Sequence, residues 1–231
     1  MFSDTMEDYL KAIYVLQTES GPPVSTSGIA EYLDKTPPTV TSMVRSLAEH
    51  DLIAHEKYKG VELTEEGETV ALEVIRHHRL LETYLTEHLD YDWHEVHEEA
   101  DALEHHISEE FERRVADALD DPEVDPHGDP IPGADLGPLD RDETTPLSER
   151  ETGERVIVSR VRDRDEAELA YLDDAGVRPG TELEVLDVAP FGMVTVTIGD
   201  AEQSLPESVA RTIRVRDVPA DRTTGEEVSD A

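Results

Sequence analysis

The first 63 residues place three amphipathic stretches and a short apolar pair of strands in an order that few folds accommodate. Met6, Tyr9, Leu10, Ile13 and Leu16 recur at helical spacing, which predicts a helix over about residues 4–19. Gly21-Pro22-Pro23 ends it. Ser25 or Ser27 is placed to cap a second helix carrying Ile29, Ala30 and Leu33. A third opens at Thr36-Pro37-Pro38, with prolines suited to a first turn, and runs through Val40, Met43, Val44 and Leu47 to about His50. Leu52-Ile53 and Val61-Glu62-Leu63 then read as two strands around a turn holding Lys57, Lys59 and Gly60. Three helices followed by a basic hairpin outline a winged helix-turn-helix.

Charge bears on that reading. The 231 residues include 56 acids and 20 Lys or Arg, a formal charge of −36. So large an imbalance argues against a nucleic-acid partner if spread evenly. It is not even. Residues 1–60 carry nine acids and five bases, whereas residues 90–153 carry 22 acids and four bases. Between Thr36 and Ala48 the sole charge is Arg45, so acid has been kept off the third helix. Elsewhere acids are distributed along the whole chain and lysine is confined to Lys11, Lys35, Lys57 and Lys59, a pattern that reads as adaptation to a salty cytoplasm. The chain has no cysteine, which excludes a disulfide scaffold, thiolate metal sites and a cysteine nucleophile. No apolar run is long enough to span a bilayer, and the acidic start is unlike a secretory signal. The expectation is a cytoplasmic protein with no membrane partner.

Beyond the hairpin, Thr64-Glu65-Glu66-Gly67 opens a long helix to about Leu89, and one further helix is expected from about Trp93 to Leu119. A stretch rich in Pro, Gly and Asp follows to about Thr152 and reads as a partly mobile tether. From Arg155 the apolar period shortens. Val156-Ile157-Val158, Leu183 to Leu186, Met193 to Ile198 and Thr212 to Val215 are β-type pieces, with a helix over about 165–175, which together predict a small barrel. The expected fold is mainly α with a small β domain. Its parts are a winged helix-turn-helix (1–63), a helical dimerisation domain (64–121), a linker (122–153), a barrel (154–218) and a flexible tail (219–231).

Seven of the ten histidines lie between His77 and His106. His97, Asp101, Glu104 and His105 share one helical face, and His78 and Glu82 stand one turn apart on the preceding helix. Imidazole and carboxylate at helical spacing on adjacent helices are the ingredients of a divalent metal site. The alternative is a solvated acidic helix in which such pairs arise by chance.

These stretches carry a family resemblance. The chain resembles the diphtheria-toxin-repressor family of iron- and manganese-dependent transcription regulators over roughly residues 4–218. The matching motifs are Met6 to Leu10, Pro38 to Thr41, His78 to Glu82, Val96 to Asp101 with Leu103 to His106, and Pro126 to Gly133. The resemblance implies a homodimer on a palindromic DNA operator, a C-terminal SH3-like (FeoA-type) barrel and two metal sites per subunit, with no small-molecule substrate. It implies a primary site of Asp8, Asp101, Glu104 and His105 and an ancillary site of His78, Glu82 and His97, to which the barrel adds Asp165 and Glu168. Iron-type members place Met at the position of Asp8 and Cys at that of Asp101. Carboxylates there make the site harder, so Mn²⁺ is expected first and Fe²⁺ second. Manganese-type members carry Glu where this chain has Lys11.

The DNA-facing residues expected are Pro37, Pro38, Thr39, Thr41, Ser42 and Arg45 on the third helix, with Lys57 and Lys59 on the wing. Metal joining Asp8 to the later ligands would relieve repulsion among three carboxylates and clamp the reading head, making a metal-dependent repressor of metal-uptake genes. A metal-dependent hydrolase and a metal-independent winged-helix regulator are the competing readings.

Overall fold

The computed structural model describes residues 2–56, 59–139, 143–163, 165–190 and 192–219, in two compact units, Met1–Asp142 and Glu143–Ala231. In the first, α1 (Asp4–Ser20) begins where the Ser3 side chain accepts from the Met6 amide, with Asp4 and Glu7 at the positive end of the helix dipole. Its apolar stripe packs on α2 (Thr26–Tyr32), α3 (Pro37–Glu49) and the start of α4 (Glu65–His88), in a core built on Tyr9, Leu10, Ile13, Ile29, Leu47 and Leu72. The hairpin β1 (Ile53–Glu56) and β2 (Gly60–Leu63) pairs antiparallel, and Val24 bridges to Val61 along its free edge. Gly67 lets α4 meet this wing, since a Cβ there would lie 1.9 Å from the Leu52 carbonyl oxygen.

The 24-residue α4 serves both halves of the unit. Its first turns complete the reading-head core, and its later turns bury Leu80, Leu81 and Leu85 against two shorter helices. Here the expectation of one helix from Trp93 to Leu119 fails. The chain forms α5 (Val96–Leu103), turns at Glu104 to Ile107, and restarts as α6 (Glu109–Ala118). Ser108 causes the restart: its hydroxyl accepts from the Phe111 amide, and Glu109, Glu110 and Glu112 fill the first turn.

The expected mobile linker also differs. Residues 122–139 belong to the first unit, packed along α4. Arg76 Nη1 donates to the Pro132 carbonyl at 2.6 Å, Arg79 donates to that of Pro130, and Trp93 Nε1 donates to that of Pro126 at 2.7 Å. Arg79 also stands 3.5 Å from Asp125 and from Asp129. A proline-rich strap offers many carbonyls and few amides, and buried arginines supply the missing donors. Arg79→Ala, which removes the donor to the Pro130 carbonyl and the cation beside Asp125 and Asp129, should cost about 1–3 kcal/mol, read as a lowered denaturant midpoint. An unchanged midpoint would show that the strap adds no stability.

The second unit is a six-stranded antiparallel sheet. Its strands are β3 (Thr145–Pro146), β4 (Arg155–Val161), β5 (Glu182–Val188), β6 (Val194–Ile198), β7 (Ala201–Leu205) and β8 (Ile213–Asp217), in the order β3-β8-β4-β5-β6-β7. Among the described residues, the α-helices α7 (Glu166–Asp174) and α8 (Glu207–Ala210) and a 3₁₀ turn over Leu147–Glu149 complete it. β3 lies inside the stretch expected to be linker. Most of the expected tail, residues 220–231, falls outside the described residues.

Candidate metal centre and nucleic-acid face

The turn between α5 and α6 shapes the centre. It takes Glu104 and His105 off the face they would share with His97 on one continuous helix and points them at α1. His105 Nε2 lies 2.9 Å from Asp8 Oδ1 and 3.4 Å from Glu104 Oε1, while its Nδ1 lies 2.8 Å from Glu7 Oε2. With its proton on Nδ1 donated to Glu7, the ring would leave the Nε2 lone pair facing Asp8 and Glu104, the orientation a metal-binding imidazole needs. Glu7 was missed in the sequence. Its adjacency to Asp8 gave no hint, because neighbouring helical residues normally diverge by about 100°.

A second cluster forms around His78. Its Nε2 lies 2.9 Å from Glu82 Oε1 and 3.1 Å from His97 Nδ1, which is itself 3.1 Å from the same Glu82 oxygen. His78, Glu82 and His97 are thus together, as the resemblance implied. Asp101 is placed differently: its Oδ1 is 3.2 Å from His78 Nδ1, so it groups with His78 and Glu104 and not with Asp8 and His105. Glu104 joins the clusters, its Oε2 lying 2.6 Å from His78 Nδ1.

A third cluster was not foreseen. Glu82, Asp125 and His127, all buried, bring ligand atoms together where the strap crosses α4. Glu82 Oε2 is 3.6 Å from His127 Nδ1, and neither it nor Asp125 Oδ2 accepts a hydrogen bond. The signal was the motif Asp125-Pro126-His127, set aside as linker. Two buried carboxylates beside an imidazole nitrogen, with Arg79 3.5 Å from Asp125 as their nearby cation, are a donor set that fits a divalent cation.

Charge follows from these contacts. Burial works against a charge on His78, and Lys11 adds to that, but Glu82, Asp101 and Glu104 outweigh both and raise its pKa well above 6.5. Burial likewise opposes a charge on His105, and hydrogen bonding to Glu7 with the fields of Glu104 and Asp8 raises its pKa overall. Burial pushes Asp8 up despite His105. It would do the same to Glu82, Asp101 and Glu104, but His78 holds all three down, with Lys11 helping at the last two. Asp125, fully desolvated and facing the charge of Glu82, is pushed up to about 8. The expected repulsion among carboxylates is therefore largely offset by Lys11 and His78 lying among them.

In the second unit, Asp165 caps α7 by accepting from the Glu168 amide at 3.0 Å, and the Glu168 carboxylate accepts from the Thr212 hydroxyl. On α3, Val40, Val44 and Leu47 are buried while Pro37, Pro38, Thr39, Thr41, Ser42 and Arg45 are all exposed. Thr41 donates to the Pro37 carbonyl at 2.9 Å, leaving its oxygen outward as an acceptor. Lys59 pairs with Glu56 at 2.5 Å, and Lys57 lies outside the described residues.

Residues 1–61 match the model of the iron-dependent repressor N-terminal DNA-binding domain, residues 64–133 that of the iron-dependent repressor metal-binding and dimerisation domain, and residues 145–217 the FeoA domain. The chain is 35% identical over 226 residues to the diphtheria toxin repressor of Corynebacterium glutamicum, covering 93% of this chain and 97% of that one. It is 35% identical over 227 residues to the iron-dependent repressor IdeR of Mycobacterium tuberculosis, covering 93% and 98%. Among solved structures, a manganese-dependent transcriptional repressor in complex with manganese superposes with a TM-score of 0.86 at 37% identity, covering 92% of this chain and all of that one. ScaR with bound Zn²⁺ gives a TM-score of 0.79 at 33% identity, covering 92% and 99%. With a winged reading head, a histidine–carboxylate centre and an SH3-like unit in the same order along nearly its whole length, the chain belongs to the diphtheria-toxin-repressor family of metal-dependent transcriptional repressors.

Proposed function

We propose that this repressor responds to Mn²⁺, with Fe²⁺ as the second choice, and that the ion ties the reading head to the helical domain. The observation that carries the proposal is the 2.9 Å approach of Asp8, on α1 of the head, to His105 on the α5–α6 turn. Asp8, Glu104 and His105 would hold the primary ion, and His78, Glu82 and His97 the ancillary one. Asp101 would support the first through Glu104 and the second through His78. Oxygen and imidazole donors without sulfur favour Mn²⁺ over softer ions, and the manganese-bound relative with a TM-score of 0.86 supports that choice. Asp165 and Glu168 enter the ancillary set on resemblance alone. Asp125 and His127 offer Glu82 a further ligand pair from the strap.

The ion supplies the positive charge that lets oxygens from two parts of the chain face one point. Asp8 then fixes the angle of α1, and α1 packs against α3 through the head core. In a homodimer, which the exposed Leu89, Tyr91 and Phe111 of the helical domain suit, that angle would set the distance between two recognition helices. It must match palindromic half-sites about one helical turn apart. Metal and DNA would then tighten each other's binding reciprocally. Operator binding followed by fluorescence anisotropy should appear with Mn²⁺ and vanish with a chelator; binding indifferent to the chelator would refute the proposal.

The recognition face is separable from the centre. Arg45→Ala and Thr39→Ala should each weaken specific DNA binding by about 1–3 kcal/mol. Calorimetric Mn²⁺ affinity without DNA should stay at the wild-type value. A lost metal isotherm in either variant would mean α3 belongs to the metal centre.

A further inference from the structure

One cation already sits in the centre. Lys11 lies one turn after Asp8 on α1, on the same face, and its Nζ reaches 2.8 Å from Glu104 Oε2, 3.0 Å from Asp101 Oδ1 and 3.1 Å from His78 Nδ1. Those three side chains are themselves a cluster whose ligand atoms converge closely enough to hold a metal ion. The lysine side chain is largely buried, and Glu104 is almost wholly so, at 19% and 1% exposure. The ammonium fills a hole with the chemistry of a third ion site, lying between the Asp8–Glu104–His105 and His78–Glu82–His97 clusters.

We infer that Lys11 is a tethered cation that reserves the His78–Asp101–Glu104 hole against divalent metal, and so sets how many ions the centre takes. The inference rests on the metal-binding reading above and goes beyond it.

Two physical arguments support it. First, charge balances with the lysine in place. Glu7, Asp8, Glu82, Asp101 and Glu104 are the five carboxylates joined through His105, His78 and Lys11. Two divalent ions and one ammonium neutralise those five charges, and a third divalent ion would have to share Glu104 Oε2, Asp101 and His78 with an ammonium 2.8 to 3.1 Å from them, where like charges repel. Second, the ammonium is attached to a helix packed on α4, so its effective concentration at the hole is set by the fold and exceeds that of a trace metal. Metal entering the outer clusters can use Glu104 Oε1 and His78 Nε2, which face away from Lys11, without displacing it. Lys11 is thus a positioning residue, holding Glu104 Oε2 and Asp101 so that only the outward atoms remain for metal.

The test is the number of Mn²⁺ ions bound per subunit, counted by equilibrium dialysis with metal analysis on the full chain. Lys11→Gln and Lys11→Met both remove the charge, and both should bind one more ion per subunit than wild type. The added ion would share the Glu104 carboxylate with the primary-site ion, so the variants' Mn²⁺ electron paramagnetic resonance should show stronger spin coupling than wild type. If either variant folds poorly without metal, refolding in excess Mn²⁺ before dialysis gives the same count. A count in both variants equal to or below wild type, with unchanged spectra, would overturn the inference while leaving the metal reading intact. A wild-type protein that binds no Mn²⁺ would overturn both. In the unaltered protein the four lysines make ¹⁵N labelling of the ammonium groups practicable. With Zn²⁺ as the diamagnetic probe, the Lys11 signal should remain that of a slowly exchanging, salt-bridged ammonium after saturation, and its collapse to a solvent-exposed signal would show the metal displacing it.

Discussion

Glu104→Ala should abolish the manganese response of operator binding, leaving the affinity measured with Mn²⁺ equal to that measured with chelator. Glu104 is the carboxylate shared by the Asp8–Glu104–His105 and His78–Asp101–Glu104 clusters: Oε1 faces His105 at 3.4 Å, and Oε2 faces His78 at 2.6 Å and Lys11 at 2.8 Å. Removing a group that only orients a ligand typically costs about 10–100-fold in metal affinity, so loss of a direct ligand should exceed that range. The variant also leaves His78 and Lys11 facing a void, and breaking a buried pair of this kind costs about 3–5 kcal/mol. Its metal-free melting temperature should fall with the response. Glu104→Gln separates the two effects, because it keeps the volume and an acceptor oxygen while losing the charge. It should fold and still fail to respond to Mn²⁺. Anisotropy titrations with circular dichroism on the same samples check this, and a folded Glu104→Gln protein with the full manganese response would remove Glu104 from the centre.

Bound metal should reverse the pH dependence of stability. In the metal-free protein His78 and His105 have raised pKa values, so the stability they contribute is complete below the ordinary 6.5 and is lost as pH rises through the raised values. Asp125, pushed up to about 8, acts in the same direction, since the fold resists the ionisation that an unfolded chain undergoes near 3.8. Glu82 and Glu104 are held low, so their contribution is present above 4.5 and is lost in acid. Together these place the metal-free maximum near pH 4.5, with a decline from there toward pH 8, first through Asp125 and above 6.5 through the histidines as well, of at most about 1.4 kcal/mol per pH unit for each titrating group. Bound Mn²⁺ needs neutral imidazoles and charged carboxylates, so it should stabilise progressively more as pH rises. Thermal melts from pH 5 to 8.5, with and without Mn²⁺, should diverge toward high pH. Parallel curves would mean that these histidines are not ligands.

The reading head was legible because its apolar spacing and its stop signals agree: Tyr9, Leu10 and Ile13 face the core that periodicity assigned them, and Gly21-Pro22-Pro23 ends α1 where expected. The break between α5 and α6 was not, because Glu104 to Ile107 contains neither Gly nor Pro and the only signal is Ser108 before an acidic turn. That break determines which atoms Glu104 and His105 offer to α1. Asp125 and His127 were hidden for a related reason. A stretch of Pro, Gly and Asp reads as tether until Arg76, Arg79 and Trp93, distant in sequence, are seen to satisfy its carbonyls. β7 has a single inward apolar side chain, Leu205, too little for a periodic signal. Lys11 was visible only as a departure from the manganese-type pattern, since its role depends on partners 67, 90 and 93 residues away.

The most direct measurement is anomalous diffraction at the manganese edge from crystals of the full chain grown with Mn²⁺ and operator DNA. A peak bounded by Asp8, Glu104 and His105, tying α1 to the α5–α6 turn, is the predicted result. A map with no peak there, Asp8 turned away from His105, and the reading heads still seated on the half-sites would contradict it.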